Sequence, residues 1–310
     1  MSESKTILIT GVAGFLGRYI ARHFFEEHWT VIGIDNSSPE NAPLSYLAKY
    51  DRFHLPNTGL SSLLQEYSPR VCVHCAGRAS VGLSISDPAA DFYGNSVITF
   101  EMLNALRVYA PNCRFIFLSS AAVYGNPASL PVSESQPPAP LSPYGFHKWQ
   151  GEQLCLEFAQ VYSLPTASLR IFSAYGAGLR RQVIWDICQK ALTEHKLILK
   201  GTGQESRDFI HAFDIAKAVH LVATSAVMKG EVYNLGSGRE ATITVVATLI
   251  VQALGISLDL QFDGIVPPGT PRCWKASITK LQELGFSPSI PLEKGIESFI
   301  SWSRAELVGF

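Results

Sequence analysis

Charge is scarce in this sequence and evenly split. Asp, Glu, Lys and Arg make up 16% of the residues, and 25 basic against 26 acidic side chains leave a formal net charge of −1. Such a chain exerts no long-range pull on nucleic acid or an anionic membrane, so neither is expected as a partner. A local basic pocket is still compatible with that balance. Long apolar runs are missing too: the longest such stretch, Ile243 to Leu254, contains Thr244, Thr248 and Gln252 and is too short to span a bilayer. Met-Ser-Glu-Ser-Lys leads straight into a short apolar run and a glycine-rich turn without a secretory signal, so a cytoplasmic location is expected.

Cysteine is sparse and scattered, at Cys72, Cys75, Cys113, Cys155, Cys188 and Cys273. Cys72 and Cys75 form a C-x-x-C, but they lie in Val71-Cys-Val-His-Cys-Ala76, which has the composition of a buried strand. Residues three apart on a strand point to opposite faces, so the pair reads as core thiols rather than a redox or zinc motif. No second pair completes a zinc site, no His, Asp and Glu cluster has ligand spacing, and no metal is expected. The G-x-S-x-G elbow of a serine hydrolase is also absent.

What is present is alternation. Lys5–Thr10, Thr30–Asp35, Arg70–Ala76, Cys113–Ser119, Ala167–Phe172 and Glu231–Gly236 read as buried strands. Helical periodicity occupies Phe15–Glu27 and roughly Ala89–Val108 between them. That order predicts an α/β protein: a Rossmann-type, doubly wound parallel sheet covered by helices on both faces. Beyond Phe172 the alternation weakens, and Pro267, Pro268 and Pro271 mark a loop-rich stretch. The expected division is residues 1–172 plus about 208–236 for the sheet domain. Residues 173–207 plus 237–310 would form a smaller mixed α/β unit that binds substrate.

The first strand ends in Thr10-Gly-Val-Ala-Gly-Phe-Leu-Gly17, placing Gly11, Gly14 and Gly17 where a strand turns into a helix. Such a turn needs unusual φ angles and close backbone approach to a pyrophosphate, which then faces the helix N-terminus. Phe15 and Leu16 open that helix and are counted with the cofactor loop. Asp35 ends the next strand eighteen residues beyond Gly17. A carboxylate there accepts hydrogen bonds from both adenosine ribose hydroxyls and repels a 2′-phosphate; Asn36 follows it, not Arg or Lys, so NAD is preferred to NADP.

Tyr144-Gly-Phe-His-Lys148 sets a phenol and an ammonium four residues apart on one helix face. A neighbouring cation favours the phenolate, which suits Tyr144 to move a hydroxyl proton during hydride transfer. The pair follows Ser119-Ser-Ala-Ala-Val-Tyr-Gly125, at the end of a strand, where open parallel sheets place their catalytic groups. Ser120 can then share the reacting oxygen with Tyr144. His147, His74 and His211 are read as structural.

The succession Gly11/Gly14/Gly17, Asp35, Ser120, Tyr144 and Lys148 resembles the extended short-chain dehydrogenases/reductases that epimerise, dehydrate or reduce nucleotide sugars. Val73-His-Cys-Ala-Gly77, Ser84-Ile-Ser-Asp-Pro88, Asn95, Leu169-Arg-Ile-Phe-Ser-Ala-Tyr-Gly176, Arg207-Asp-Phe-Ile-His211 with Asp214, and Tyr233-Asn-Leu-Gly-Ser-Gly238 extend the likeness over nearly the whole chain. The resemblance implies Tyr144 as acid/base, Lys148 on the ribose and Tyr144, and Ser120 at the substrate hydroxyl. It further implies Ala76, Gly77 and Asn95 at the cofactor, Ser84 and Ser173 at the substrate, and Arg207 and Arg272 at its diphosphate. A homodimer built on the helix carrying Tyr144 is also the family's habit.

Three departures stand out: Ser173 replaces the family's Asn, Phe53-His-Leu-Pro-Asn57 lacks its Gly-Asp, and Ser277 replaces a late Asp. Family dehydratases place Asp-Glu after the serine, and the decarboxylases a Glu; here Ala121 and Ala122 cannot move protons. The expected activity is therefore NAD-dependent nucleotide-sugar 4-epimerisation through a 4-keto sugar. A dehydratase or keto-sugar reductase/dehydrogenase of the same family, or a silent NAD(H)-binding regulator, are the alternatives.

Overall fold

The computed structural model describes residues 5–194, 196–257, 259–265 and 271–308; Pro267 and Pro268 lie outside them. The chain opens with β1 (Thr6–Thr10), α1 (Phe15–Glu26), β2 (Thr30–Asp35), β3 (Lys49–Arg52), α2 (Gly59–Tyr67) and β4 (Val71–His74). Then come α3 (Val81–Ser86), α4 (Pro88–Phe92), α5 (Ile98–Tyr109), β5 (Arg114–Ser120) and α6 (Pro143–Tyr162). β6 (Thr166–Ile171), β7 (Ser173–Tyr175), α7 (Gln182–Thr193), β8 (Lys196–Leu199), β9 (Ser206–His211), α8 (Ala212–Ser225) and β10 (Lys229–Leu235) follow. The last elements are β11 (Glu240–Thr242), α9 (Ile243–Leu254), β12 (Asp259–Phe262), α10 (Thr279–Glu283) and α11 (Leu292–Val308).

Seven strands form one sheet in the order β10-β6-β5-β4-β1-β2-β3, all paired in parallel. Alternation along the strands splits their side chains between two cores. Ile7, Ile9, Val71, Val73, Ile116 and Leu118 face α1 and α8, while Leu8, Cys72, Phe115 and Phe117 face the side of α2, α5 and α6. Cys72 and Cys75 fall on opposite faces, as strand geometry requires, and all six cysteines are free thiols. After α8 the chain returns to the sheet as β10, beside β6. β9 instead joins β7 and β11 in a three-stranded sheet, and β8 pairs with β12. A further core gathers Ile184, Ile187, Leu197, Phe209, Val246, Ile250, Phe299 and Ile300 beside these short strands. Leu281 and Phe286, late in the chain, pack into the first core instead.

The stretch Ala89–Val108 is not one helix. α4 and α5 are separated by a π-helical turn, Tyr93–Val97. Gly94 there packs against the Arg78 side chain, and the wider turn holds Asn95 buried, donating from Nδ2 to the Arg78 carbonyl at 3.0 Å. A π-turn changes the period too little for sequence spacing to reveal it. The apolar run at Ile243–Leu254 is α9, capped by Thr242 and ended by Gly255 in the left-handed region, φ +67°. Among the described residues no helix is long and apolar enough to cross a membrane.

Several histidines are built in as neutral groups. His74 is 1% exposed between Phe115 and Phe117, and burial, with the charge of Lys148, pushes it down to about 3. His23 and His220 meet edge to face between α1 and α8, with ring centroids 5.3 Å apart; both are lowered by burial, His23 also by the charge of His220. A base with a depressed folded pKa stays neutral in the native state while the unfolded chain takes up protons below about pH 6.5. Stability is therefore full above that pH and falls as the pH drops. Between pH 6.5 and 4.5, His74 alone is expected to remove roughly 2 kcal/mol. Urea unfolding across this range checks it: His74→Gln should show a shallower pH dependence, and a parent whose stability is flat from 7.5 to 4.5 would refute the assignment.

Candidate active site

The strand ends that matter lie side by side. Thr10 is in register with Ile34 and His74, and Ser120 with Ile171, so β1, β2, β4, β5 and β6 terminate along one edge. A cleft of about 620 Å³ opens there, lined by the glycine-rich loop, Gly77, Ser119, Ser120, Tyr144 and Lys148. Its other wall carries Ser173, Arg181, Arg207 and Trp274.

At one end, Gly11 has φ +66°, and a side chain there would meet the backbone of Ala76 at 2.7 Å. A Cβ on Gly17 would meet Val12 Cα at 2.8 Å, so α1 begins closer to β1 than any other residue allows. Gly14 caps α1 with its backbone extended, leaving the first turn's N–H groups toward the cleft, with Phe15 and Leu16 on its lining. Asp35 closes β2, and its two oxygens accept the Ala13 and Ser37 N–H groups at 3.0 and 2.9 Å. Asn36 is exposed, and its carbonyl accepts from Arg52 Nε at 3.2 Å. The glycine cradle and the carboxylate ending β2 fit an adenosine diphosphate half with free ribose hydroxyls, the pattern NAD requires.

The segment after β4 is tied to this loop by Thr10. Its hydroxyl meets His74 Nδ1 at 2.7 Å and accepts the Ala76 N–H at 3.1 Å, so His74 acts structurally and Ala76 is fixed beside the glycine-rich loop. Gly77 needs its bareness: a Cβ would lie 2.8 Å from Asn95 Oδ1 and 3.6 Å from Lys148 Nζ. Asn95 thus supports the cleft from behind, with its Oδ1 buried and unpartnered.

Ser142 caps α6 by accepting the Gly145 N–H, and Pro143 occupies its first turn. That start places Tyr144 and Lys148 on the cleft. Lys148 is 6% exposed, donates to the Leu118 carbonyl at 3.0 Å, and stands 4.8 Å from the Phe117 ring centroid. Burial brings its ammonium down to about 8, so it remains mostly charged at neutral pH. Ser120 accepts the Ala122 N–H at 3.1 Å and bonds toward the Tyr144 hydroxyl. Tyr144 departs from expectation: burial raises it above the ordinary phenol value, opposed by Ser120 and by the charge of Arg181. Lys148 has turned to Leu118, 6.0 Å from the Tyr144 ring centroid, so Arg181 is the cation that pulls the phenol down.

The expected substrate residues divide. Ser173 and Arg207 line the cleft, Arg207 with its guanidinium 5.5 Å from the Trp274 ring centroid. Arg272 does not: its side chain is exposed, and its carbonyl accepts from Arg207 at 3.2 Å, steadying that guanidinium. Ser84 is fully buried and donates to the Val81 carbonyl at 2.7 Å, away from the lining. The neighbouring Ser80, which sequence reasoning passed over, lines the cleft in its place, as do Trp274 and Arg181. The Arg-Asp-Phe-Ile-His block is partly architectural: Asp208 accepts the N–H groups of Ser237, Gly238 and Ala276, clamping two loops onto β9. Asp214 likewise holds Ser289 and Ile290.

Known proteins share this arrangement. A provisionally named UDP-glucose 4-epimerase of Methanocaldococcus jannaschii is 31% identical, over 96% of this chain and 98% of its own. The UDP-glucose 4-epimerase of Corynebacterium glutamicum is 30% identical, over 91% of this chain and 90% of its own. The Bacillus cereus UDP-glucuronic acid 4-epimerase, solved with UDP-glucuronic acid and NAD, superposes with a TM-score of 0.89 at 29% identity, covering 97% of this chain and 99% of that one. Residues 7–236 match the model of the NAD dependent epimerase/dehydratase family. With its parallel sheet, glycine cradle and Tyr144–Lys148 pair, the chain belongs to the NAD-dependent epimerase/dehydratase family.

Proposed function

We propose that the protein is a uridine diphosphate sugar 4-epimerase. The observation that carries this reading is the composition of the reacting end of the cleft. Ser120, Tyr144 and Lys148 converge there, Ala122 stands where a dehydratase needs an acid, and no carboxylate is among the residues lining the cleft. Eliminating the C6 hydroxyl requires a second acid–base pair, whereas epimerisation at C4 needs one proton carrier.

Gly11, Gly14, Gly17, Asp35, Gly77 and Lys148 would hold NAD, with Asn95 behind Gly77. When bound, NAD supplies temporary storage of the hydride from C4. As the phenolate, Tyr144 would take the C4 hydroxyl proton and later return it, Ser120 would share the reacting oxygen, and the charge on Lys148 would fix the ribose beside Tyr144. Arg207, steadied by the Arg272 carbonyl and stacked on Trp274, faces the substrate diphosphate. In this reading residues 1–172 with 208–236 carry the cofactor, and residues 173–207 with 237–310 carry the nucleotide sugar.

The same reading includes a homodimer and a cytoplasmic location. Tyr93, Phe100 and Phe146 are each more than two-fifths exposed on adjoining turns of the α5 and α6 layer, an apolar surface suited to a second copy. The free thiols agree with a reducing compartment.

Proton NMR of the protein with catalytic NAD and a panel of UDP-, GDP-, dTDP- and CDP-sugars tests the activity. Interconversion of C4 epimers without net NADH is expected with UDP-sugars. A 4-keto-6-deoxy product would show a dehydratase, and stoichiometric NADH a dehydrogenase.

A further inference from the structure

Tyr144 and Lys148 ride on α6, and the near part of that helix meets the sheet side with little to stop it turning. It lies close there through two glycines: a Cβ on Gly145 would meet the Ala122 carbonyl oxygen at 2.6 Å, and one on Gly151 the Phe117 ring at 2.4 Å. Bare backbone sets the depth of a helix but not its rotation. Glu152 grips Arg170 one turn beyond Lys148. The other grip is a polar seam facing α4. His147, between Tyr144 and Lys148, donates from Nδ1 to Asp91 Oδ2 at 2.6 Å, and Gln150 Oε1 accepts from the Ser96 hydroxyl at 2.8 Å. Asp91 and Ser96 are 0% and 5% exposed. On α6 these two rungs are three residues apart and share a face. On the opposing segment they are five apart, and in an unbroken α-helix of about 3.6 residues per turn such side chains point roughly 140° away from each other. The π-helical turn Tyr93–Val97 lies between them, and its wider coil turns both onto α6.

We propose, on the reading of Tyr144 and Lys148 as the epimerase's reacting pair, that Asp91–His147 and Ser96–Gln150 are positioning residues: aligned by the π-turn, they fix the rotation of α6 and so aim both groups at the cleft. The expense of the seam favours this role over packing. A carboxylate taken fully out of water, with one oxygen lacking a hydrogen-bond partner, is costly to bury, and an apolar contact in its place would be cheaper. What an apolar contact lacks is direction. The Asp91–His147 bond holds α6 at one angle, with the Phe92 ring edge-on to His147 at 5.4 Å between centroids. A small turn of the helix would swing two long side chains, taking Tyr144 off Ser120 and Lys148 off the Leu118 carbonyl.

The Asp91→Ala, His147→Met double variant removes both polar groups and nearly conserves volume. Its urea midpoint is expected close to the parent's, while kcat for UDP-sugar epimerisation falls at least about tenfold and KM stays within about twofold. His147→Asn can place an amide N–H where Nδ1 stood, and should keep kcat within about threefold of the parent. Ser96→Ala deletes the other rung without touching a charge; it should lower kcat about threefold with stability little changed, a reading that holds even if the double variant fails to fold. Parental turnover in the folded double variant or in Ser96→Ala would overturn the proposal, as would a His147→Asn variant no more active than the double variant. Crystal structures of the NAD-bound parent and double variant read placement without turnover. The bond between Tyr144 and Ser120 should open in the variant, and an unmoved Tyr144 would also overturn the proposal. A parent that epimerises no UDP-sugar would remove the epimerase reading and leave that structural comparison to decide what the seam does.

Discussion

Tyr144→Phe is expected to lower kcat for C4 epimerisation about a thousandfold, within the range that a positioned acid–base group contributes. The substitution removes one oxygen and keeps the ring that packs beside Lys148, so NAD binding should survive and the thermal midpoint should barely move. The free site holds the phenol protonated, because burial outweighs Ser120 and Arg181. To take the C4 proton Tyr144 must first release its own to solvent, a loss that its hydroxyl partner Ser120 and the charge of Arg181 favour. Turnover is measured by NMR on matched C4 epimers and cofactor retention by NADH fluorescence. Unchanged turnover would strip Tyr144 of its role, whereas lost NAD binding would mean that the hydroxyl maintains the cleft rather than performing chemistry.

Much of this site is written in local spacing. Gly11, Gly14, Gly17 and Asp35 sit on one strand–turn–helix–strand unit, and Tyr144 and Lys148 are one helical turn apart, so short-range geometry alone brings each set together. The parallel sheet was equally legible, since its buried strands are short apolar runs separated by helices. What spacing does not encode is which distant segments meet. Arg181 reaches the cleft only because α7 approaches the loop at Ala79, a contact across 102 residues. Ser84 and Ser80 lie in one short segment with the same side chain, and only the start of α3 decides that Ser80 faces the cleft and Ser84 its own backbone. β8 and β12 are four residues each and pair directly although far apart in the chain, leaving no periodicity long enough to read.

Glu152→Ala is expected to destabilise the protein by about 3–5 kcal/mol, the cost of stranding one member of a buried ion pair. Glu152 and Arg170 are 2% and 4% exposed and face each other between α6 and β6. Arg170 donates to both carboxylate oxygens, at 2.9 and 2.7 Å, and Ser119 donates to one of them at 2.6 Å. Removing the carboxylate leaves a buried guanidinium with Tyr124, whose ring centroid lies 4.6 Å away and whose hydroxyl also bonds to it, as a neutral neighbour that cannot balance its charge. The pair fastens α6, which carries Tyr144 and Lys148, to the strand beside Ser119 and Ser120. The Glu152→Met, Arg170→Met double variant exchanges both charges for apolar bulk and should recover most of the loss, since it needs neither desolvated charge. Urea denaturation of the single and double variants completes the cycle. A double variant as unstable as Glu152→Ala would mean that packing volume, not the stranded charge, sets the cost. A mild Glu152→Ala would mean that water reaches Arg170, and that the helix bearing Tyr144 and Lys148 is held by its apolar face alone.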